Sequence, residues 1–200
     1  MATQGQRWIT FDCFGTLVDW HKGFTEILGP FARERVADVL RAYHECERHI
    51  EGEPLHRPYK DVLVASVVRA GAQAGVPISE SDARTLPRAW HSLRPFGDAE
   101  ALLAELRRRG YRLAVLTNCD DDLFETTHRT FRAPFDLFVT AERVRGYKPA
   151  PWHFRAFELL TAAGVAWVEQ DEDAVLRVVG VVRPGVVLES PDCVEANAAD

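Results

Sequence analysis

The sequence predicts an α/β fold: a parallel sheet with an all-helical insert after its first strand. The first observation is an apolar, β-prone run, Trp8 to Phe11, that ends at Asp12 and is followed by a turn at Gly15. The second is helical spacing of apolar residues from 21 to 95. The third is alternation of helix and strand from residue 98 onward, which typically builds a parallel, right-handed sheet.

The insert is predicted to contain helices over 32–50, 59–74 and 79–94, where apolar residues recur at three- and four-residue spacing. We expect chain breaks at Gly29-Pro30, at Gly52 to Pro58 and at Gly75-Val-Pro77, because glycine and proline interrupt helices. Ser79, with Asp82 three residues later, predicts a capped N-terminus for the last of these helices.

The second half of the chain is predicted to continue the sheet. A helix over 98–109 begins with acids and ends with bases, which suits the helix dipole, and Gly110 is placed to end it. Asp120 to Asp122 are candidates for capping a later helix. The remaining predicted elements are strands at Tyr111–Thr117 and Phe135–Thr140 and a helix over about 150–163.

After Gly164 the pattern changes. Residues 168 to 173 form an acidic cluster that we interpret as a loop, and two β-like runs follow at 175–182 and 186–189. The tail from Pro191 is predicted to fray. We therefore expect the sheet to be one strand short or completed in an unusual way.

Composition limits the classes of function. The net charge of −6 gives no basic excess to neutralise phosphates, so nucleic acid is not the expected partner. The four cysteines are widely separated and the histidines lack metal-ligand spacing, so we expect no disulfide framework and no metal site. The sequence shows neither a membrane-length apolar run nor the apolar stretch of a signal peptide, so a cytoplasmic location is the expectation.

Polar residues follow three of the predicted strands. Asp12 ends the first, Thr117 and Asn118 end the second, and Lys148 follows the third. Parallel strands bring their carboxyl ends to one edge, so these side chains should meet there. A carboxylate nucleophile needs a nearby cation, which Lys148 would supply, while the hydroxyl and amide would orient oxygens. Backbone N–H groups of the turn after Asp12 could also hold an anion.

These motifs resemble the haloacid dehalogenase-like (HAD) superfamily. Asp12-Cys-Phe-Gly-Thr-Leu-Val-Asp19 resembles its first motif, Thr117-Asn118 its second and Lys148-Pro149 its third. The run from Arg143 to Phe154 looks most like type II 2-haloacid dehalogenases. The resemblance implies a Rossmannoid core domain of residues 1–19 and 96–200, a helical cap domain of residues 20–95, and Asp12 as a nucleophile that forms a covalent intermediate.

Phe14 separates the members of the superfamily. Phosphatases carry a second Asp at this position, which protonates the leaving alcohol, whereas a departing halide needs no proton. The resemblance therefore implies dehalogenation of short 2-haloalkanoic acids without a cofactor. The alternatives are a Mg²⁺-dependent phosphatase, in which Phe14 merely fills the core, and a binding scaffold without turnover.

Further site residues follow from the same resemblance. Thr16 would help orient the carboxylates, and Arg41 in the insert would receive the carboxylate substrate or the halide, a solvated surface arginine being the alternative. Cys13 and Phe14 directly follow the nucleophile and are candidates for substrate contact, with core packing as the other interpretation. The same choice applies to the aromatic residues Trp20, Tyr43 and Trp90. The oligomeric state is not given by the sequence, and a homodimer remains open.

The fourth HAD motif is missing from its usual place. That motif supplies acids on a loop after a fourth strand, but the positions around 174–178 are apolar apart from Arg177. The nearby acids precede the apolar run, namely Glu169, Asp171, Glu172 and Asp173. They either replace the motif or form a solvated loop.

Overall fold

A five-stranded sheet forms the centre of the protein, with strand order β3-β2-β1-β4-β5. The computed structural model describes residues 7–133, 135–161, 165–170 and 176–181. Strands β1 to β4 pair in parallel, and β5 runs antiparallel to β4. The strands are β1 Arg7–Phe11, β2 Tyr111–Thr117, β3 Leu137–Thr140, β4 Val165–Gln170 and β5 Leu176–Val181.

The register aligns the carboxyl ends of the inner strands. Phe11 of β1 lies opposite Val115 of β2, and Thr117 of β2 lies opposite Thr140 of β3. The residues just after β1 and β2 therefore emerge side by side, as expected for an open parallel sheet.

The strand β4 corrects one prediction. Residues 168 to 170 were expected in an acidic loop, yet they belong to a strand that begins at Val165 and pairs with β1 from Trp8. The apolar run that begins at Val165 is long enough to pair with β1 as a strand. The acid Glu169 comes only near the end of that strand. The sheet is thus completed beyond β1, by β4 and β5. Asp171 to Asp173, the second β-like run at 186–189 and the tail lie outside the described residues.

Between β1 and β2 the chain is helical. The helices are α1 Trp20–Ala32, α2 Val36–Glu51, α3 Tyr59–Gln73, α4 Glu80–Ala83 and α5 Thr85–Arg88. The predicted break at Gly29-Pro30 is wrong, because α1 continues through Pro30 to Ala32. Pro30 lies in the last turn, where its missing N–H removes a single hydrogen bond, while Leu28 and Ala32 remain buried on either side of it.

The later helices follow the prediction more closely. They are α6 Ala99–Arg108, α7 Asp121–His128, α8 Ala141–Val144 and α9 Trp152–Thr161. Gly110 follows α6 with a φ of 79°, a conformation that glycine adopts without strain. The predicted cap at Ser79 is confirmed: its hydroxyl accepts the Asp82 N–H at 3.1 Å, and its own N–H donates to the Asp82 carboxylate at 3.3 Å.

Strand β2 carries apolar side chains on both faces of the sheet. In β2, Leu113 and Val115 point into the larger core, which they share with the helices between β1 and β2. Ala114 and Leu116 point to the opposite face, where they pack with Trp8, Val139 and Phe157. Strand geometry alternates side chains between the faces, so the apolar run from Leu113 to Leu116 is the pattern of a strand covered on both sides.

Asp120 connects the end of β2 to the helical segment. Its carboxylate, which we expected to cap α7, is 1% exposed and accepts the backbone N–H groups of Tyr59 at 2.8 Å and Lys60 at 3.0 Å. It therefore caps α3, whose own N-cap residue, Pro58, has no side-chain acceptor. Within the part of the chain that the structure describes, none of the helices has the length and apolar character needed to span a bilayer.

Candidate active site

Asp12 and Lys148 meet at the carboxyl edge of the sheet. The Lys148 ammonium donates to Asp12 Oδ1 at 2.7 Å and to the Leu116 carbonyl at 2.6 Å. The Lys148 side chain is 19% exposed and that of Asp12 is 41% exposed. The carboxylate is therefore reachable from solvent, while the cation beside it is held from behind by a backbone carbonyl of β2.

A tight turn presents Asp12. The N–H groups of Leu17 and Val18 donate to the Cys13 carbonyl at 2.8 and 3.0 Å, that of Thr16 donates to the same carbonyl at 3.4 Å, and that of Gly15 donates to the Val18 carbonyl. These four donors close the turn, so they are not free to hold an anion. Gly15 has a φ of 101°, and an added Cβ would lie 3.3 Å from the indole nitrogen of Trp20.

Asn118 fixes the backbone of the lysine. Its amide oxygen accepts the Lys148 N–H at 2.7 Å, and its amide nitrogen donates to the Lys148 carbonyl at 3.1 Å. These two hydrogen bonds join the loop after β2 to the segment before α9. In this arrangement Asn118 positions Lys148, a contribution that differs from the expected one of holding substrate oxygens.

Thr117 faces inward at the end of β2. It is fully buried, and its hydroxyl contacts Cys119 Sγ at 3.7 Å. The Thr117 carbonyl accepts Nε2–H of His153, a buried residue of α9, at 3.1 Å. Burial, aided by the Lys148 charge, lowers the pKa of His153 to about 4, so the imidazole is neutral near pH 7.

Phe14 contacts the helical segment. Its ring lies 4.8 Å from that of Trp90 in an edge-to-face arrangement, and it is partly buried against the larger core. Trp90 and Tyr43 are themselves almost fully buried, as the core interpretation of these aromatics predicted. Phosphatases of the superfamily carry the second Asp of their first motif at this position. Here the position holds an apolar ring that packs between the turn and the helices.

Two expected substrate contacts are not brought to the site. The side chain of Arg41 is 76% exposed and pairs with Asp38 on the same helix at 2.9 Å, so it lies on the solvent face of α2. Cys13 has no exposed surface, and burial raises the pKa of its thiol well above the usual range. Both are corrections: Arg41 lies on the outer stripe of its helix, and Cys13 fills the core behind the turn.

Glu51 lies at the site and was not found from the sequence. Its carboxyl oxygens are 3.3 and 3.4 Å from the amide nitrogen of Asn118. One turn earlier on α2, Glu47 accepts the hydroxyl groups of Tyr43 and Tyr59, each at 2.7 Å. The four-residue spacing of Tyr43, Glu47 and Glu51 puts two acids on the buried stripe of an amphipathic helix, a signal that was available.

A magnesium site, which the phosphatase alternative requires, has limited support in these residues. One Asp12 oxygen is already paired with the Lys148 ammonium. Across the described ranges, we find no group of three or more His, Cys, Asp or Glu residues arranged to hold a metal ion. The fourth-motif region lies in part outside those ranges.

Comparison with known proteins gives the family. The sequence model of the haloacid dehalogenase-like hydrolases matches residues 6–160. The chain belongs to this family of hydrolases. The structure agrees, since it superimposes on the crystal structure of an L-2-haloacid dehalogenase with a TM-score of 0.73 at 21% identity, covering 84% of this chain and 79% of that one.

Two named dehalogenases are similar in sequence to this haloacid dehalogenase-like chain. Haloacetate dehalogenase H-2 of Moraxella sp. (strain B) is 25% identical over 72% of the chain and 66% of the relative. The (S)-2-haloacid dehalogenase of Pseudomonas sp. (strain YL) is 27% identical over 70% of the chain and 63% of the relative. The matched regions thus span a little under two thirds of the length of each relative.

Proposed function

We propose that this haloacid dehalogenase-like protein hydrolyses the carbon–halogen bond of short 2-haloalkanoic acids, with Asp12 as the nucleophile. The observation that carries the proposal is the exposed Asp12 carboxylate, paired at 2.7 Å with the largely buried Lys148. A carboxylate paired with a cation, with one side open to solvent, is suited to nucleophilic attack. The two dehalogenase relatives support carbon–halogen bonds as the target.

The reaction takes two steps. Asp12 attacks the halogen-bearing carbon in line with the leaving halide, so a C–O bond forms as the C–X bond breaks, and an ester of Asp12 results. Water then attacks the ester carbonyl, and cleavage of its acyl C–O bond releases a 2-hydroxy acid and a proton. The Asp12 carboxylate is restored, and one water is consumed for each halide released.

The surrounding residues serve this scheme in different ways. Lys148 balances the charge of Asp12, and Asn118 holds the lysine backbone. Thr16 lies in the turn after Asp12, and Thr117 ends β2, the strand that pairs with β1; we retain both as candidates for orienting carboxylates. We also propose that residues 20–95 act as a cap domain over the core, residues 1–19 and 96–200, so that the helices shape the substrate pocket.

Phe14 supports halide over phosphate as the leaving group. Phosphomonoester hydrolysis requires a proton for the departing alkoxide, and a phenyl ring packed on Trp90 has none to give. A halide leaves without protonation. The residue that activates water in the second step would be sought among the acids near the end of β4, whose side chains lie outside the described residues.

Halide release tests this proposal. Purified protein is incubated with chloroacetate or 2-chloropropionate, with and without a chelator, and free chloride is measured beside hydrolysis of an aryl phosphate with added Mg²⁺. We expect chloride release that the chelator leaves unchanged and that Asp12→Asn abolishes. Chelator-sensitive phosphatase activity without chloride release would overturn the proposal and favour a magnesium-dependent phosphatase. A protein that is inactive in both assays would be a binding scaffold.

A further inference from the structure

His153 is a polar residue in an apolar place. It lies in the first turn of α9, has no exposed surface, and shares the buried side of that helix with Phe157, four residues later. Its ring reaches the end of β2, where Nε2–H donates to the Thr117 carbonyl at 3.1 Å. Burying an imidazole costs its hydration, and this hydrogen bond is the contact that offsets the loss.

The hydrogen bond determines which ring nitrogen carries the proton. The Thr117 carbonyl can only accept a hydrogen bond, so Nε2 of His153 is protonated. Among the described residues, none provides a hydrogen-bond partner for Nδ1, so a second proton there would be a buried donor without an acceptor. Burial, aided by the Lys148 charge, also lowers the pKa of His153 to about 4. The ring is therefore a neutral, fixed hydrogen-bond donor near pH 7.

Three consecutive residues at the end of β2 form hydrogen bonds with the segment from 148 to 153. The bonds join the Leu116 carbonyl to the Lys148 ammonium, the Thr117 carbonyl to the His153 ring, and the Asn118 amide to the Lys148 backbone. The pairing of β1 with β2 ends just before these residues, at Val115. Contacts from this segment therefore support the end of β2 beyond its pairing with β1.

The position of this strand end affects the nucleophile. The Lys148 ammonium lies between the Leu116 carbonyl and Asp12, at 2.6 and 2.7 Å, so a shift of the strand end would move the cation relative to the carboxylate. Without His153, the Thr117 carbonyl would lose a buried donor that ties it to α9. A displacement of about 1 Å in a reacting arrangement can lower a rate by about 100-fold.

We propose that His153 is a positioning residue, whose hydrogen bond to the Thr117 carbonyl holds the end of β2 against α9 and thereby keeps the Lys148 ammonium at Asp12. The inference rests on the proposed dehalogenation. It assigns His153 an effect that is transmitted through the strand end and requires no contact with the reacting atoms.

Two substitutions separate the hydrogen bond from the volume of the ring. His153→Leu removes the donor and keeps an apolar side chain, whereas His153→Gln places an amide N–H at about the reach of Nε2. With 2-chloropropionate as substrate and each protein assayed well below its Tm, kcat for chloride release should fall by about tenfold or more in His153→Leu. KM should change by less than about twofold, and His153→Gln should recover most of the lost kcat.

A second buried substitution tests whether any loss of packing has the same effect. Leu103→Val removes a methylene group from a fully buried residue of α6, which packs in the larger core on the other face of the sheet. This control should lower Tm and leave kcat within about twofold of the unmodified protein. Normal kcat in His153→Leu, or an equal loss of kcat in Leu103→Val, would overturn the inference.

NMR of the histidine rings provides a measurement that does not depend on turnover. Long-range ¹H–¹⁵N spectra near pH 7 should show His153 as the neutral Nε2–H tautomer, assigned by the disappearance of its signals in His153→Gln. An Nδ1–H tautomer could not donate to the Thr117 carbonyl and would overturn the inference. If the unmodified protein releases no chloride, the proposed function fails, and the tautomer still decides whether the His153 hydrogen bond exists.

Discussion

The Lys148 ammonium lies 2.7 Å from Asp12 Oδ1, although the two residues are 136 positions apart in the chain. Parallel pairing of β1 with β2 brings Asp12 opposite the end of β2, and the Leu116 carbonyl of that strand holds the other side of the ammonium. The ion pair is therefore a direct product of the sheet register. Because the pair is partly buried, removal of either partner would leave the other charge without its counter-charge in a poorly solvated place.

Removing the cation should disable the chemistry. Lys148→Met keeps the length and apolar stem of the side chain but leaves Asp12 without its counter-charge, so we expect kcat for chloride release to fall by about 100-fold or more. Lys22→Met, at an exposed position of α1, is the control and should retain full activity. Near-normal turnover by Lys148→Met would show that Asp12 does not depend on this ion pair.

Asp120 should contribute to stability through α3. Asp120→Ala removes the acceptor for two backbone N–H groups at the start of that helix and leaves buried donors unpaired, at a cost of about 1–3 kcal/mol. Urea unfolding measures the change. Asp122→Ala removes a 65% exposed carboxylate paired with Lys60 and should cost less than about 1 kcal/mol. Equal losses in the two variants would mean that the cap contributes little.

The turn at Gly15 should tolerate no side chain. Its φ of 101° is disfavoured for alanine, and the added Cβ would press on Trp20 at 3.3 Å, so Gly15→Ala should destabilise the fold by about 1–2 kcal/mol and displace Asp12. Gly97→Ala adds a methyl group to open space and is the matched control. Thermal unfolding and chloride release together would test this, and a Gly15→Ala protein as stable and active as the control would contradict it.

Glu51 should make stability depend on pH. Its pKa is about 8 in the folded protein, against an ordinary value of 4.5, so the folded state binds the proton more tightly and stability falls as pH rises between these values. Glu51→Gln lacks this dependence on pH. Its Tm relative to the unmodified protein should therefore rise by several degrees between pH 5 and pH 8.

Other buried groups do not disturb that comparison. The lowered pKa of His153 acts in the opposite direction, adding stability as pH rises from about 4 to its ordinary value, but it is present in both proteins and cancels. A Tm difference between the two proteins that is the same at pH 5 and pH 8 would mean that Glu51 is solvated enough to ionise normally.

Much of the fold was predictable because it depends on local pattern. The strands β1 and β2 are apolar runs ended by polar residues, and the Ser79 cap is visible in the sequence alone. Pro30 was misleading, because burial of the surrounding helix outweighs one missing hydrogen bond. The strand β4 was missed because its acidic end resembles a loop, and only the presence of β1 beside it identifies it as a strand.

The sequence predicted the site residues whose positions follow from the order and direction of the strands. Asp12, Asn118 and Lys148 come together because parallel strands end at one edge. Arg41 and Glu51 depend on which side of α2 faces the sheet: each residue turns the helix by about 100°, so Glu51 shares a stripe with the buried Tyr43 while Arg41 points to solvent. Asp120 caps a helix 60 residues away in sequence, a contact that no local pattern gives.

A single turnover in ¹⁸O-labelled water tests the central claim that Asp12 forms an ester with the substrate. With protein in excess over 2-chloropropionate, water should attack the Asp12 carbonyl, so the label should enter the peptide that contains Asp12, and the first hydroxy acid released should carry unlabelled oxygen. Mass spectrometry of the digested protein measures the label in the peptide, and mass spectrometry of the released hydroxy acid measures the label in the product. Label found in the hydroxy acid but not in that peptide would show that water attacks the substrate directly, and would contradict the account.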